Sequence, residues 1–347
     1  MKSIRLAFLT LLVLGQASMS SAQGLSGWQA SVDALWATVY GNDDRIGDVV
    51  AGEGTGTSGS TNTLRTTPIA PELQRAPGFL VEARYRGGSW GFGGRGWRVS
   101  TDGDVADTVT TDTSAGVLHT SSVRLWGQTT TPFTNNQQPF NRSPLTYHAG
   151  NELKHVRVEG YAERLWLNGP TGTVSMRFGI GYARSEHRRH ADLLNISRGA
   201  VSLDETLATT AENDFNLVGP LFAIAGDTPF KRLHVSWLVS PAALIGTAKS
   251  DATFDITDVT PLGGGSATTT LSIPWSDEPR VVVPALDLQL KAGFAITRRL
   301  EAGGAIFSSS LFAMPVAPSF DNHTGGWNRE TRDMSILSYS VFVRVGL

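Results

Sequence analysis

The stretch Tyr339-Ser-Val-Phe-Val-Arg-Val-Gly-Leu347 alternates without a break between two sets of side chains. Successive residues of a β-strand point to opposite faces. One face carries Tyr339, Val341, Val343, Val345 and Leu347, and the other carries Ser340, Phe342, Arg344 and Gly346. This pattern fits a wall with hydrocarbon outside and a polar interior that receives the charged Arg344. The stretch therefore predicts the last strand of an outer-membrane β-barrel.

The opposite end of the sequence has the features of a secretory signal peptide. Lys2 and Arg5 precede an apolar stretch at 6–14, and the small residues Ser20-Ser-Ala22 follow it. A basic start, a short apolar stretch and small residues, in this order, are typical of a cleaved export signal. We expect residues 1–22 to be removed and residues 23–347 to form one outer-membrane β-barrel domain.

The composition narrows the class of protein further. The chain has 347 residues, 38 of them Gly, and few long apolar stretches, which favours one repetitive β architecture over two globular domains. No segment after the export signal approaches about eighteen consecutive apolar residues, so membrane-spanning helices are excluded. A formal net charge of -2 gives no reason to expect nucleic acid as a partner. The sequence contains no Cys, so disulfides do not support the fold.

Ten segments show the two-residue periodicity of β-strands. They lie at 27–40, 78–87, 89–100, 152–167, 172–186, 213–226, 232–247, 281–294, 298–312 and 334–347. Short connections at 87–89, 168–171, 226–231 and 295–297 alternate with long polar ones at 41–77, 101–151, 187–212, 248–280 and 313–333. Outer-membrane barrels have short periplasmic turns, long extracellular loops and an even strand count that leaves both termini in the periplasm. The sequence therefore predicts an all-β, antiparallel transmembrane β-barrel of ten strands.

Aromatic residues give a dimensional check on this prediction. Trp28 and Tyr40 lie on the apolar face of the first predicted strand. At about 3.3 Å per residue and a tilt of about 40°, they are separated by roughly 30 Å along the membrane normal. Tyr85, Trp166 and Phe294 lie beside the short turns. These positions predict aromatic girdles at the membrane interfaces.

Three features complicate a ten-stranded wall. Pro220, Pro241 and Pro284 remove backbone donors inside predicted strands, and bulges are the expected answer because a closed barrel has no edge strand. The stretch 117–126 has strand character and would raise the count to twelve if it joined the wall. The stretch 253–273 has the pattern of a hairpin that stands above the membrane.

The predicted inner face carries charges of both signs. The residues that we expect to line the lumen are Glu82, Arg84, Arg86, Arg157, Glu159, Glu163, Arg177, Asp287, Gln289, Lys291 and Arg344. One interpretation is a narrow polar channel whose charged rings filter small solutes. The other is a plug, in which Arg and Glu pair across a lumen that has little more room than its side chains need. The sequence leaves both interpretations open.

Histidines offer one candidate metal site. His187 and His190 have a spacing that two ligands of one metal could have. Arg188 and Arg189 lie between them and would repel a cation. A solvated loop is therefore the favoured interpretation, and the sequence predicts no metal site here.

Other chemical motifs also have structural explanations. Asp43, Asp44 and Asp48 lack the ordered ligand spacing of a calcium loop. The stretch Gly91-Phe-Gly-Gly-Arg-Gly96 matches the G-x-G-x-x-G pattern of dinucleotide sites, but it lies in a returning strand and not at a helix start. Glycines in barrel strands relieve bending or allow close packing. The sequence predicts no catalytic residue, no cofactor and no enzyme.

Several blocks carry a family resemblance. They are the hairpin at 78–97, in which Trp90-Gly91 opens the return strand, the stretch 153–167, Arg177-Phe-Gly-Ile-Gly-Tyr-Ala-Arg184, Phe215-Asn-Leu-Val-Gly-Pro-Leu221 and Pro284-Ala-Leu-Asp-Leu-Gln-Leu290. Together they resemble the Legionella-type family of pore-forming major outer-membrane proteins, whereas the loops show no likeness. The resemblance implies a β-barrel with pore activity and supplies no catalytic residues.

These patterns predict an outer-membrane protein that is either a narrow porin-like channel or a structural, surface-exposed barrel. Its expected partners are outer-membrane lipid, small solutes and the barrel-assembly machinery, which would engage the C-terminal strand. A secreted, soluble all-β adhesin or binding domain, with its two faces packed in a sandwich, is the alternative from another class. An outer-membrane hydrolase active at the rim is a third hypothesis.

Overall fold

The computed structural model describes residues 27–41, 47–55, 61–109, 117–125, 145–169, 172–197, 203–262, 265–321 and 326–346. The predicted signal peptide at 1–22 lies outside these residues, as do Asp43 and Asp44. The described part of the chain contains no helix that is long and apolar enough to cross a membrane.

The described residues form fourteen strands. They are β1 (Gly27–Tyr40), β2 (Gly47–Thr55), β3 (Thr61–Ile69), β4 (Ala76–Gly87), β5 (Trp90–Val109), β6 (Val117–Leu125), β7 (Leu145–Gly169), β8 (Gly172–Ser197), β9 (Leu203–Phe230), β10 (Leu233–Leu262), β11 (Gly265–Asp277), β12 (Arg280–Ala295), β13 (Leu300–Asp321) and β14 (Gly326–Gly346). Ten of them close an antiparallel barrel in the order β1, β4, β5, β7, β8, β9, β10, β12, β13, β14 and back to β1. The predicted ten-stranded barrel is confirmed. The described strands do not form the two stacked sheets of the soluble alternative.

The barrel has two unlike ends. At the end that we call the turn end, the short connections 88–89, 170–171, 231–232 and 296–299 join neighbouring strands. At the opposite end, the loop end, strands β5 and β7 to β10 continue beyond the closed part as a wall. There β11 pairs with β10 from Ser250–Asp277 to Leu262–Gly265, which confirms the predicted hairpin. Several strands are longer than predicted because their ladders continue into polar sequence beyond the apolar segments.

One prediction about the loops is wrong and one open alternative is decided; the stretch 117–126 is a strand, as its pattern indicated, but it does not join the barrel. The stretch 117–126 does not raise the strand count to twelve, because β6 pairs with β2 in a separate three-stranded sheet with β3. The stretch 41–77, predicted as a loop, contains both β2 and β3. β2 pairs with both β3 and β6, and the barrel closes without these three strands.

The prolines are accommodated without bulges. Pairing between β9 and β10 keeps one register from Val239–Ile224 through Ala242–Leu221 to Ile245–Val218, although the pairs on either side of Ala242, which include those of Pro241 and Pro220, are missing. Pro220 also pairs with Ile180 in an unbroken register between β8 and β9. Pro284 pairs with Ala243 in an unbroken register between β10 and β12. The predicted bulges are therefore wrong at these positions, because the intact ladder on either side of each proline keeps the register. Among the described barrel strands, register shifts lie instead between β13 and β14, near Ala313, whose φ is 54°, and between β7 and β8 at Leu165 and Leu167.

Inside and outside alternate along the wall as the sequence predicts. On β1, Asp33 and Leu35 are 0% and 1% exposed, whereas Trp28 and Trp36 are 45% and 52% exposed. On this strand the large aromatic side chains thus cover the exterior, and the charged Asp33 is withdrawn into the interior. This is the reverse of the distribution in a water-soluble domain.

Candidate functional site

The barrel interior is the candidate functional site. The structure places all eleven residues predicted to line the lumen on the inner face of β4, β7, β8, β12 and β14. Most are buried, and Glu82, Arg84 and Arg344 keep about a seventh of their side-chain surface exposed, at 14%, 15% and 13%. Their predicted role in filtering solutes stays a prediction.

Asp287 on β12 is the centre of the interior charge network. It is fully buried, and it accepts hydrogen bonds from Arg157 at 3.0 Å, from Ser309 at 2.7 Å and from Arg95. Four strands separate β5, which carries Arg95, from β12 on either side of the ring. The ion pair between Arg95 and Asp287 therefore crosses the full width of the lumen.

Glu159 completes a quartet of charges with these groups. Arg95 donates a hydrogen bond to Glu159 at 2.6 Å, and Arg157 approaches the same carboxylate to 3.0 Å. Two guanidinium groups thus face two carboxylates, and all four side chains are at most 3% exposed. Buried charges are tolerated when they are paired in this way, and removing one partner leaves the others uncompensated.

A second group of charges lies closer to the turn end. Arg177 donates hydrogen bonds to Glu163 at 3.0 Å and to Glu82 at 3.1 Å, and Arg86 also donates to Glu163. The ring of Tyr161 lies under the Arg177 guanidinium at 4.4 Å, and its hydroxyl donates to Glu82 at 3.0 Å. The arginine is thereby held by two carboxylates and one aromatic face.

Three further interior cations are paired as well. These ion pairs are Arg84 with Asp227 at 3.2 Å, Lys291 with Asp33 at 2.9 Å and Arg344 with Glu301 at 3.3 Å. The first two join strands that are not neighbours in the ring. Ionic contacts therefore cross the interior at several places along the barrel.

The glycine-rich motif serves this packing. Gly93 faces inward beside Tyr161, and a Cβ at this position would lie 2.8 Å from the tyrosine oxygen. The missing side chain leaves space for the Tyr161 ring. This contact gives Gly93 a packing role within the Gly91-Phe-Gly-Gly-Arg-Gly96 stretch. Close packing is the role that the sequence predicts for glycines in this strand.

An apolar layer fills the interior on the loop-end side of the charged residues. Its core cluster receives residues from all ten barrel strands, including Leu35, Leu80, Trp97, Leu153, Ala183, Phe215, Leu244, Val283, Phe307 and Ile336. The Trp97 ring lies 4.6 Å from the ring of His155 and 5.1 Å from that of Phe307. The sequence analysis expected a polar lumen, and this expectation is wrong for the loop-end half because large apolar side chains also point inward there.

A strap, formed by residues 69–75, covers this layer at the loop end. Leu73 joins the apolar cluster, and Ile69 is fully buried. The strap is held by β5, because Thr101 donates its hydroxyl to the Gln74 carbonyl at 2.5 Å and the Gln74 amide donates to the Asp102 carbonyl at 3.1 Å. The end of the predicted polar loop is thus packed into the barrel mouth.

The interior side chains are largely buried, and a small cavity lies among them. A cavity of about 30 Å³ lies among the charges near the turn end, lined in part by Arg84, Arg177, Lys291 and Arg344. It has room for about two water molecules. Within the described residues, the interior is therefore a packed core of ion pairs and apolar side chains.

Four members of this network are not among the lumen-lining residues predicted from the sequence, namely Asp33, Arg95, Asp227 and Glu301. A signal for Arg95 was available, because the short turn at 88–89 fixes the hairpin register and places Arg95 directly opposite Glu82. The glycines around Arg95 hid the alternation on which the assignment of faces relied. Asp227 was assigned to a turn, whereas β9 continues to Phe230.

The fold and its filled interior define a closed, antiparallel ten-stranded β-barrel. Comparison with protein-family models finds no match, and no curated protein matches. The resemblance to the Legionella-type major outer-membrane proteins therefore stays a resemblance.

Solved structures of outer-membrane barrels are similar in outline. The outer membrane protease OmpT from Escherichia coli is 9% identical with a TM-score of 0.44, and the alignment covers 95% of this chain and 100% of that chain. A FadL homologue from Pseudomonas aeruginosa is 9% identical with a TM-score of 0.24, covering 92% and 90%. The toluene transporter TodX from P. putida is 10% identical with a TM-score of 0.23, covering 93% and 91%. At these values the likenesses assign no function to this chain.

Proposed function

We propose that this chain is an outer-membrane β-barrel with a filled interior, which acts as a structural and surface-exposed protein and not as a diffusion channel. The observation that carries the proposal is the cross-linked interior, in which Arg95 and Asp287 meet across the lumen below a layer of Trp97 and Phe307. A solute would have to displace both the interior ion pairs and the apolar layer. Ten-stranded barrels leave little room beyond their own side chains, and here that room is occupied.

The outer face supports placement in a bilayer. Every barrel strand contributes large, exposed apolar side chains, among them Trp36, Phe79, Phe92, Val158, Ile180, Val218, Ile245, Leu290, Ile306 and Val341. An apolar belt that runs around a whole molecule is far larger than the patches of soluble monomers. At the turn end, the rings of Trp28, Tyr85 and Phe92 pack together with centroids 5.3 to 5.5 Å apart. Aromatic clusters of this kind suit the lipid headgroup level.

A charged rim marks the other edge of the apolar belt. Its members are Arg98, Lys154, Arg184, Asp214, Lys249 and Arg280, which lie on the outer face of β5, β7, β8, β9, β10 and β12. Along β8, the distance from Val174 beside the turn to Arg184 corresponds to about 25 Å of the membrane normal. This equals the apolar band of outer-membrane barrels, about 25 Å.

The orientation and partners of the barrel belong to the same proposal. Short turns face the periplasm in bacterial barrels, so the turn end and both termini would be periplasmic and the wall at the loop end would be extracellular. Export by the signal peptide and assembly through the C-terminal strand would precede insertion. The partners would be outer-membrane lipid and the barrel-assembly machinery.

Planar-bilayer recordings test the proposed function. The purified, folded protein should give no discrete current steps, while a known open porin in the same bilayer verifies the assay. Reproducible unitary steps from the wild-type protein would refute the filled-barrel proposal. They would favour a narrow porin-like channel, the second candidate, which the resemblance to the Legionella-type family supports.

A further inference from the structure

We propose that Asp104, His148 and His190 form a binding site for a divalent cation of the zinc class on the outer face of the wall. One ligand atom from each side chain lies within 4.8 Å of the other two. The three residues come from β5, β7 and β8, which are consecutive strands in the barrel. This site is separate from the interior and does not depend on whether the barrel conducts.

The strand register brings the three side chains to one place. Asp104 pairs with Gly150, and Gly150 pairs with His190, so one row crosses the three strands. His148 is two residues from Gly150 on β7 and therefore lies on the same face. Its ring centroid is 5.4 Å from that of His190.

Gly150 allows the ligands to converge. A Cβ at this position would lie 2.2 Å from Cε1 of His190 and 2.7 Å from Oδ1 of Asp104. The two side chains therefore reach over the glycine from opposite sides. A side chain of any size at residue 150 would force them apart, and this makes Gly150 a positioning residue for the site.

The ligand set has the chemistry that zinc prefers. Two neutral imidazoles and one carboxylate are common ligands of Zn²⁺, with bond lengths of about 2.0 to 2.2 Å. Tetrahedral binding at these lengths requires ligand atoms about 3.3 Å apart, so the exposed Asp104 and His148 would have to move inward from their present spacing. Side chains on a surface make such movements by changing rotamers. Three protein ligands leave a fourth position for water.

The surrounding charges do not oppose a cation. Arg188 lies two residues from His190 on the same face, but it forms an ion pair with Glu212 at 2.7 Å. Arg189 is buried on the inner face. Asp192 is paired in register with His148, and its exposed carboxylate adds negative charge nearby.

The sequence favoured a solvated loop at His187 and His190, and this prediction is wrong because both residues lie in β8. His187 faces the interior, where its Nε2 lies 2.7 Å from Oδ1 of Asn151, whereas His190 is on the outer face. An odd spacing in a strand puts two side chains on opposite faces, so His187 and His190 cannot share a metal. His190 instead meets His148, which is 42 residues away and adjacent only because β7 and β8 pair.

The site lies outside the proposed bilayer. His190 is six residues beyond Arg184, the β8 member of the charged rim, which corresponds to about 15 Å more along the membrane normal. Asp104 and His148 are exposed and His190 is half-buried. Cations in the surrounding solution can therefore reach the ligands directly.

Zinc titration of the folded, full-length protein without a histidine tag tests the proposal. Calorimetry should find one Zn²⁺ per chain in the wild type, and His148→Ala and His190→Ala should each lose this binding. Folding of each variant is checked by its gel mobility before and after boiling. A wild type without one-to-one binding, or histidine variants that bind as the wild type does, would overturn the proposal.

A pair of glycine variants separates a positioned site from general surface binding. Gly150→Ala should weaken zinc binding by about 10- to 100-fold, the range seen when groups that orient metal ligands are altered. Gly160→Ala is the matched control on the same strand, because a Cβ at Gly160 meets nothing within 4 Å. Equal affinities of these two variants would contradict the proposal.

Copper EPR of the wild type gives a measurement that needs no variant. Cu²⁺ prefers imidazole ligands as zinc does, and each bound nitrogen splits its signal. Two imidazole nitrogens per Cu²⁺ would support the site. A spectrum without nitrogen coupling would argue against it, even if the histidine variants failed to fold.

Discussion

Asp287 shows how much of the fold's stability depends on single interior charges. It accepts hydrogen bonds from Arg95 and Arg157, and its carboxylate is fully buried. We expect Asp287→Asn to lower the free energy of unfolding by about 3–5 kcal/mol, because both guanidinium groups stay buried without this counter-charge. Urea titration of the protein in lipid vesicles, followed by tryptophan fluorescence, measures the change.

Asp251→Asn is the matched control for this prediction. Asp251 also forms an ion pair, with the rim residue Lys249 at 2.7 Å, but about half of each side chain is exposed to water. Water screens such a pair, so the variant should unfold at nearly the same urea concentration as the wild type. Similar losses of unfolding free energy in both variants would show that the buried ion pairs of Asp287 stabilise the fold no more than an exposed pair does.

Single residues were the hardest feature to predict from the sequence. The inward phase of Arg177 and Asp287 followed from strict alternation, because each has apolar neighbours on either side. Their partners did not follow, since Arg95 and Asp287 are 192 positions apart and meet only across the closed barrel. Alternation assigns a side chain to a face, but it carries no information about what lies opposite.

At the scale of the strand, the outer face of β14 carries a prediction of its own. Val341 is 57% exposed, between Tyr339 and Val343 in the apolar belt. In the proposed bilayer, Val341→Arg would place a charge among lipid chains at a cost of about 2–4 kcal/mol. The variant should therefore insert poorly, which appears as a smaller folded fraction in unboiled samples on gels after folding into vesicles.

Leu271→Arg is the control for this strand. Leu271 is similarly exposed, at 53%, but it lies on β11 beyond the closed barrel. Its replacement should leave the folded fraction unchanged because the new charge meets water. If Val341→Arg inserted as well as Leu271→Arg, the belt would not be a lipid contact.

The positions of the barrel strands were predicted well from the sequence, whereas their loop-end boundaries were predicted poorly. The turn-end boundaries of the strands, except that of β9, follow from short connections that break the alternation, and β1 agrees at both ends. The loop-end boundaries depend on hydrogen-bonded pairs outside the apolar belt, where threonine-rich sequence such as 203–212 has no apolar face to recognise. The prolines were misjudged for a related reason, because register depends on the whole ladder and not on one donor.

At the scale of the whole molecule, the absence of cysteine permits a direct test of orientation. Leu271 at the loop end and Ile296 at the turn end are 53% and 57% exposed. Leu271→Cys should react with a membrane-impermeant maleimide on intact cells, whereas Ile296→Cys should react only after the outer membrane is permeabilised. The wild type supplies the unlabelled control because it has no Cys. The reverse pattern would invert the proposed topology.

The overall architecture was predictable from the sequence, and the state of the interior was not. Strand number, order of connections and the sense of the alternation are local properties that repeat along the chain. Whether the lumen is open depends on the summed volume of side chains from ten strands and on the strap at 69–75, which was assigned to a polar loop. The total volume of the inward-facing side chains cannot be read from any single segment of the sequence.

The ion pairs that cross the lumen also bear on how the barrel forms. Arg84 on β4 pairs with Asp227 on β9, and Lys291 on β12 pairs with Asp33 on β1, so each pair unites early and late parts of the chain. In a partly curled sheet these groups would face each other across a gap without touching. These ion pairs form only when the barrel is closed. They therefore stabilise the closed barrel relative to partly closed intermediates. We expect ring closure to be highly cooperative, with few species trapped between an open sheet and the finished cylinder.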